Sequence, residues 1–129
     1  MTDDLVLLEA QQEIHERIAE QAPLESTLEA IAHWISLQLP GAVVAFMRFD
    51  PKRRSLSLNP SHHFSQAYHE RLQDVRIGPA EAASFGAAAY LRHQVISEDI
   101  RTDSLWEPLR NAALAEGLRA CWSSPVITS

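Results

Sequence analysis

Residues 43–58 read VVAFMRFDPKRRSLSL, and this stretch decides the fold. Val43-Val44-Ala45-Phe46-Met47-Arg48-Phe49 is rich in β-branched and aromatic side chains, which suit a pleated, half-buried surface. Asp50-Pro51-Lys52-Arg53-Arg54 has turn chemistry, and Ser55-Leu56-Ser57-Leu58 alternates polar and apolar as a half-buried strand does. The segment therefore predicts a β-hairpin. Its three cations read as a solvated turn rather than as a phosphate site.

Upstream of the hairpin the pattern is helical. Residues 4–22 place Ile14 and Ile18 one turn apart, with Glu9, Glu13, Glu16 and Arg17 on the other faces and no Gly or Pro between. Pro23 stops that helix, and a second follows at once. Leu24, Leu28, Ile31, Ile35 and Leu39 form one apolar stripe that Pro40-Gly41 ends. Both helices are expected to pack against a sheet, and the first equally suits pairing with a second subunit.

Downstream, a short helix is predicted at 66–73 and a break at Gly78-Pro79. Residues 80–92 predict a helix of small side chains that approaches its neighbour closely. Gly86 lies inside it, where a glycine costs about 1 kcal/mol relative to alanine, so a Cβ there is expected to collide. Val95-Ile96-Ser97 predicts a strand, Asp103 or Ser104 caps a helix reaching Glu116, and Gly117 stands at its C′ position. Leu118–Ser123 predicts a last strand, with Pro125-Val126-Ile127 continuing it past a kink. The sum is an α+β fold with a largely antiparallel sheet. The pattern stops in mid-strand at Ser129, which predicts that further strands of the domain follow.

The chain has 129 residues, 46% apolar, enough for one domain with a real core. A formal charge of −6 argues against nucleic acid or an anionic membrane as partner. The single cysteine, Cys121, excludes an internal disulfide and suits a reducing cytosol. No leader opens the sequence, and no apolar run approaches the ~20 residues needed to span a bilayer, so a cytoplasmic location is expected.

Chemistry is sparse. Four scattered glycines form neither a P-loop nor a dinucleotide fingerprint. Cys121, between Ala120 and Trp122 on a predicted strand, reads as a buried inert thiol. His15, His33, His62, His63, His69 and His93 include no pair at the i, i+4 spacing of zinc helices, so no metal is expected. Glu98 and Asp99 are sequence neighbours and do not converge on one substrate. Asp99 is expected to fix a turn, hold a backbone N–H or touch a ligand. What remains suits a binding pocket: Phe46, Phe64, Tyr68, Phe85, Tyr90, Trp106 and Trp122, with Arg48, Asp99, Arg119, Cys121 and Ser123 as polar groups. A plain core would use the same aromatics.

The segments RIGP (76–79), FGAAAYLRHQVISEDIRTDSLW (85–106) and GLRACWSSPV (117–126), together with AFMRFD (45–50), resemble the GAF family. The likeness is to the branch joined to bacterial histidine kinases, diguanylate cyclases and cyclic-di-GMP phosphodiesterases. It implies an antiparallel sheet of about six strands, with terminal helices on one face and a ligand cavity on the other. The helix 80–92 and the region 98–116 would wall that cavity over the strand carrying Arg119, Cys121 and Ser123. It also implies that the domain, here one unit over residues 1–129, continues with two more strands and a helix to an output domain. The sheet edge so left is expected to pair with another chain, as is the first helix, giving a homodimer.

Two departures bear on function. Ala83-Ser84-Phe85-Gly86 stands where many relatives have Gly-Ser-Cys-Gly, so a ring replaces a thiol. Trp122 stands where bilin-binding relatives carry His after the cysteine, so no bilin is expected, and haem is equally unsupported. The Asn-Lys-Phe-Asp-Glu pattern of cyclic-nucleotide-binding relatives does not occur in the sequence. The leading expectation is a sensory, ligand-binding domain without chemistry of its own, controlling an output domain elsewhere. The alternatives are a structural dimerisation module whose pocket has filled, and an enzyme like the GAF-fold methionine sulfoxide reductases, for which one cysteine leaves no resolving partner.

Overall fold

A computed structural model describes residues 2–20, 23–60 and 63–127, with side chains from Leu8 onward. His62, residues 21–22 of the predicted first helix and the end at Ser129 lie outside the described residues. The chain divides into two compact units, Met1–Phe46 and Met47–Ser129.

The N-terminal unit is a helical hairpin of α1 (Thr2–Ala19) and α2 (Leu24–Gln38). Pro23 takes the N-cap position of α2, where a fixed φ of −53° suits helix entry, and its carbonyl accepts the amide of Ser26 at 3.0 Å. Among the described side chains, each helix buries one small residue, Ala10 and Ala30. Arg17 joins the helices, donating to Glu13 Oε1 at 2.9 Å and to the hydroxyl of Ser26. The stripe of α2 is half-buried at Leu28, Ile31 and Ile35, while Leu24 and Leu39 at its ends are exposed.

The C-terminal unit holds two antiparallel sheets. β1 (Met47–Asp50) pairs with β2 (Ser55–Leu58), and β3 (Val75–Arg76) adds to the other side of β2. The predicted hairpin is present but its first strand is shorter than expected. Met47 pairs with Leu58, so Ala45 would have to pair with Pro60. Proline has no N–H to give, and pairing stops before it. Asp50 fixes the turn by accepting the amides of Lys52 and Arg53 at 2.9 and 3.3 Å. β3 was not anticipated, because two residues carry no period.

The remaining elements are α3 (Gln66–Arg71), α4 (Ala83–Leu91), β4 (Val95–Ser97), a 3₁₀ turn (Ser104–Trp106), α5 (Arg110–Ala115) and β5 (Cys121–Ser123), with β4 and β5 forming the second sheet. The single helix expected to reach Glu116 is divided in two. Pro108 lies in its middle, and a ring there clashes with the carbonyl four residues back and removes a helical donor. Gly117 does take the left-handed C′ conformation, at φ +84°. The last strand is confined to 121–123 because β4 is itself only three residues long. Beyond it a single bond, Ile100 N–H to Arg119 O at 2.8 Å, replaces a ladder. α4 begins at Ala83 rather than at residue 80, after left-handed Glu81 and with Ala83 itself at φ +56°.

Leu58, Tyr68, Leu72, Ala83, Ile100, Trp106, Leu109 and Ala113 form the core of this unit. At roughly 25 cal/mol per Å² of apolar surface removed from water, such a cluster is its main source of stability. Among the described residues no helix is long and apolar enough to cross a membrane.

Candidate functional site

α4 packs against β4, β5 and the 3₁₀ turn. It can do so because Ala83, Ser84, Gly86, Ala87 and Ala88 are all buried and nearly all small. Gly86 meets the expectation set for it: a Cβ built there lies 2.5 Å from the Cβ of Ala82, closer than two carbons can approach.

Alternation along β5 puts Cys121 and Ser123 on one side and Trp122 on the other. Cys121 packs on the core cluster, whereas Trp122 is 64% exposed. The inward side carries a short chain of polar contacts. The Ser84 and Ser123 hydroxyls lie 3.1 Å apart, and Ser123 Oγ is 3.5 Å from Cys121 Sγ. Ser84 is fully buried, so a burial cost of its hydroxyl is offset by that bond.

Four aromatics of the expected site enter the same cluster in two pairs. Phe85 meets Trp106 edge-on, with centroids 5.7 Å apart, and Phe64 tilts against Tyr68 at 5.0 Å. Trp106 donates its indole N–H to Ser97 Oγ at 3.0 Å. Burial pushes the Tyr68 phenol well above its ordinary pKa, and the nearby Cys121 thiol and Glu116 carboxylate push the same way. Tyr68 therefore stays protonated and able to donate. Glu116 is itself held by the amide and hydroxyl of Ser65, at 2.6 and 3.1 Å, where α3 begins.

The structure thus brings together Phe64, Tyr68, Phe85, Trp106, Cys121 and Ser123. It does not bring in Tyr90, which is 47% exposed, or Arg48 and Arg119, which are exposed. Phe46 is the last residue of the N-terminal unit. Asp99 builds a turn: its carboxylate takes the backbone N–H, Nε and Nη2 of Arg101, each at 3.0 Å. These bonds, with the charge of Arg101, hold its pKa below the ordinary carboxylate value. The backbone carbonyl of Asp99 accepts Asp103 N–H at 3.0 Å, and Arg110 reaches Ile100 O and Asp103 O at 3.0 and 2.8 Å.

Sequence reading missed Ser84, Ser97 and Glu116. Ser84 stands among alanines and reads from sequence as one more small side chain of the helix. Only the knowledge that β5 passes above it makes its hydroxyl meaningful. Among the described residues no group of three or more His, Cys, Asp and Glu is placed to hold a metal ion. A separate polar groove in the N-terminal unit is lined by Glu13, Arg17, Ser26, Glu29 and His33.

A family model for the GAF domain matches residues 21–129. The chain is also similar to the methyl sulfide methyltransferase-associated sensor of Methanosarcina acetivorans, with 26% identity over 127 residues. That alignment takes in 98% of this chain and 12% of the sensor, so the chain spans a small part of its relative's length. No solved structure gives a significant match.

Proposed function

The chain belongs to the GAF family, and from that premise we propose that it is a sensory domain that binds a small molecule and regulates an output domain carried elsewhere. The observation that supports this most is the convergence of Tyr68, Cys121, Ser123 and Ser84 beside the rings of Phe64 and Phe85. Ligand sites combine apolar walls with a few placed polar groups, and a neutral phenol, two hydroxyls and a thiol are such a set. They favour a mostly apolar molecule with hydrogen-bonding groups over a highly charged one. The domain acts by binding, in the cytoplasm, and not by turnover. A molecule that binds one arrangement of α4 and β5 better than another shifts their populations by its difference in affinity.

The test is a thermal-shift screen of the chain against metabolites, nucleotides and haem. At least one compound should raise the melting temperature by several degrees, as a ligand present at about a hundred times its Kd contributes about 2.7 kcal/mol. Tyr68→Phe and Ser123→Ala should weaken that shift. A screen in which nothing moves the transition sinks the proposal.

A second reading has one observation in its favour. Phe85 fills space against Trp106 where many relatives carry a small thiol residue, and a filled interior suits a structural dimerisation module. Phe85→Cys separates the two, because a compound that binds only this variant marks a site closed by the ring.

A further inference from the structure

Ser26, Glu29 and His33 recur along α2 at spacings of three and four, with Ala30 beside them. With about 3.6 residues per turn, this is the side of the helix opposite to Leu28, Ile31 and Ile35. On α1, Glu13 and Arg17 stand one turn apart. Together these polar residues and Ala30 line a groove of about 250 Å³ that belongs wholly to the α1–α2 hairpin. Ala30 is buried and offers only a methyl group, which leaves this space between longer side chains. Roughly eight water molecules would share the same volume at about 30 Å³ each, so a molecule of modest size fits.

The polar groups of the groove are unequally engaged. Arg17 is fixed, since Nη2 donates to Glu13 Oε1 at 2.9 Å and Nη1 donates to Ser26 Oγ on the other helix. Each Nη carries a second N–H that no described acceptor takes, and the Nε–H is buried with no acceptor. The side chain is still 37% exposed, which leaves it open to a ligand. Among the described residues nothing engages the Glu29 carboxylate or the His33 imidazole, and both residues are exposed. α2 therefore offers a free carboxylate one turn from a free imidazole, in the same groove as a guanidinium held in place on α1.

We propose that this groove binds a small zwitterion of the α-amino acid class, with its carboxylate on Arg17 and its ammonium on Glu29. Charge decides the class. Glu13 neutralises Arg17, so while His33 is neutral the groove keeps the charge of Glu29, and a lone anion such as phosphate or acetate meets repulsion. A lone cation satisfies Glu29 and leaves the guanidinium donors unused. A zwitterion engages both, through charge-assisted bonds at each end. Among the described residues no cluster is placed to hold a metal ion, which sets this groove apart from a cation site. A ligand so bound ties α1 to α2 and stabilises the helical hairpin. The groove shares no residue with the site of Tyr68 and Cys121, and its failure leaves that reading intact.

Amide NMR of the 129-residue chain, with glycine as the minimal probe, is the test. Glycine should shift amides within residues 13–17 and 26–33 saturably, and L-serine should shift the same set. Acetate and ethylammonium each carry one of glycine's two charges, and both should bind at least about tenfold more weakly. Glu29→Gln should weaken glycine binding about tenfold or more. Glu9→Gln, outside the groove, and Tyr68→Phe should leave the affinity unchanged. Arg17→Gln should act as Glu29→Gln does. Circular dichroism checks that it folds, and where it does not, the exposed Glu29 still decides. Silence of these amides toward both glycine and L-serine overturns the proposal. So does acetate or ethylammonium matching glycine, or glycine binding that survives Glu29→Gln. A shift lost in Tyr68→Phe but kept in Glu29→Gln overturns it too, by moving amino-acid binding to the other site.

Discussion

Trp106 donates its indole N–H to the hydroxyl of Ser97 at 3.0 Å, and both side chains are essentially sealed from solvent, at 1% and 0% exposure. The bond ties the 3₁₀ turn to β4 and fixes the ring on which Phe85 rests. Ser97→Ala leaves the indole donor orphaned in the core, and a buried unsatisfied group costs about 1–3 kcal/mol. Urea unfolding should show that loss in the midpoint with an unchanged slope. Trp106→Phe costs more because it opens a cavity, yet adding Ser97→Ala to it should cost less than the serine change alone. Simple additivity in this double-mutant cycle would argue that the bond contributes nothing.

Gly86 and Ala82 make a second, opposite case. Elsewhere in a helix Gly→Ala gains about 1 kcal/mol. Here the new Cβ falls 2.5 Å from that of Ala82, which is itself 3% exposed and has little room to move. Gly86→Ala should therefore destabilise, by about 1–3 kcal/mol as overpacking does. Calorimetry should find a lower Tm, and Ala82→Gly in the same chain should restore part of it. A stabilised Gly86→Ala would mean that the N-cap at Ala82 moves aside without cost.

Arg92 closes α4 in the left-handed region at φ +61°, where a side chain other than glycine is strained. It is exposed, and no ion pair of its side chain is described. Arg92→Gly removes that strain at the helix C-cap and should stabilise the chain by about 0.5–1 kcal/mol, read as a higher urea midpoint. The gain is expected despite the greater flexibility of glycine in the unfolded state.

The elements were largely legible because their signals are local. The hairpin showed in the switch from helical spacing to strict alternation at Ser55–Leu58, and the helix ends showed in Pro23, Pro40-Gly41 and Gly117. What the residues alone could not supply was pairing. β3 is two residues long, Val43–Phe46 has the composition of a strand but would pair into Pro60, and Leu118–Ala120 has no strand to ladder with because β4 ends at Ser97. The same limit applied to the site. Aromatics could be named from composition, and Phe64, Tyr68, Phe85 and Trp106 do meet. Tyr90, on the outer side of α4, does not, since helix 83–91 buries nearly all its small residues and gave no apolar stripe to orient it. Asp99 reads from sequence as a turn residue, a holder of a backbone N–H or a ligand contact, and in the structure its carboxylate takes the amide and guanidinium of Arg101 two residues on.

The acid limb of stability should depend on Asp74. This residue sits at φ +58° after α3, accepts Ser55 Oγ at 2.6 Å and Arg53 Nη1 at 2.8 Å, and gives its own amide to Ser57 Oγ at 2.9 Å. The hydrogen bond from Ser55 comes first in holding its pKa below the ordinary carboxylate value, and the charges of Arg53 and Arg76 follow. A depressed folded-state pKa means that the unfolded chain takes up the proton first on acidification. The contribution is therefore fully present above the unfolded value of about 3.9 and is lost as pH falls through the lower folded value. Urea midpoints measured from pH 6 downward should hold level for this group and then drop below about pH 4. Asp74→Asn should lower stability at pH 6 and flatten that drop, because an amide cannot titrate. Asp99, held down in the same way by Arg101, adds a parallel drop that Asp74→Asn leaves in place. An Asp74→Asn chain with the same pH profile as the wild type would assign the acid limb to other carboxylates.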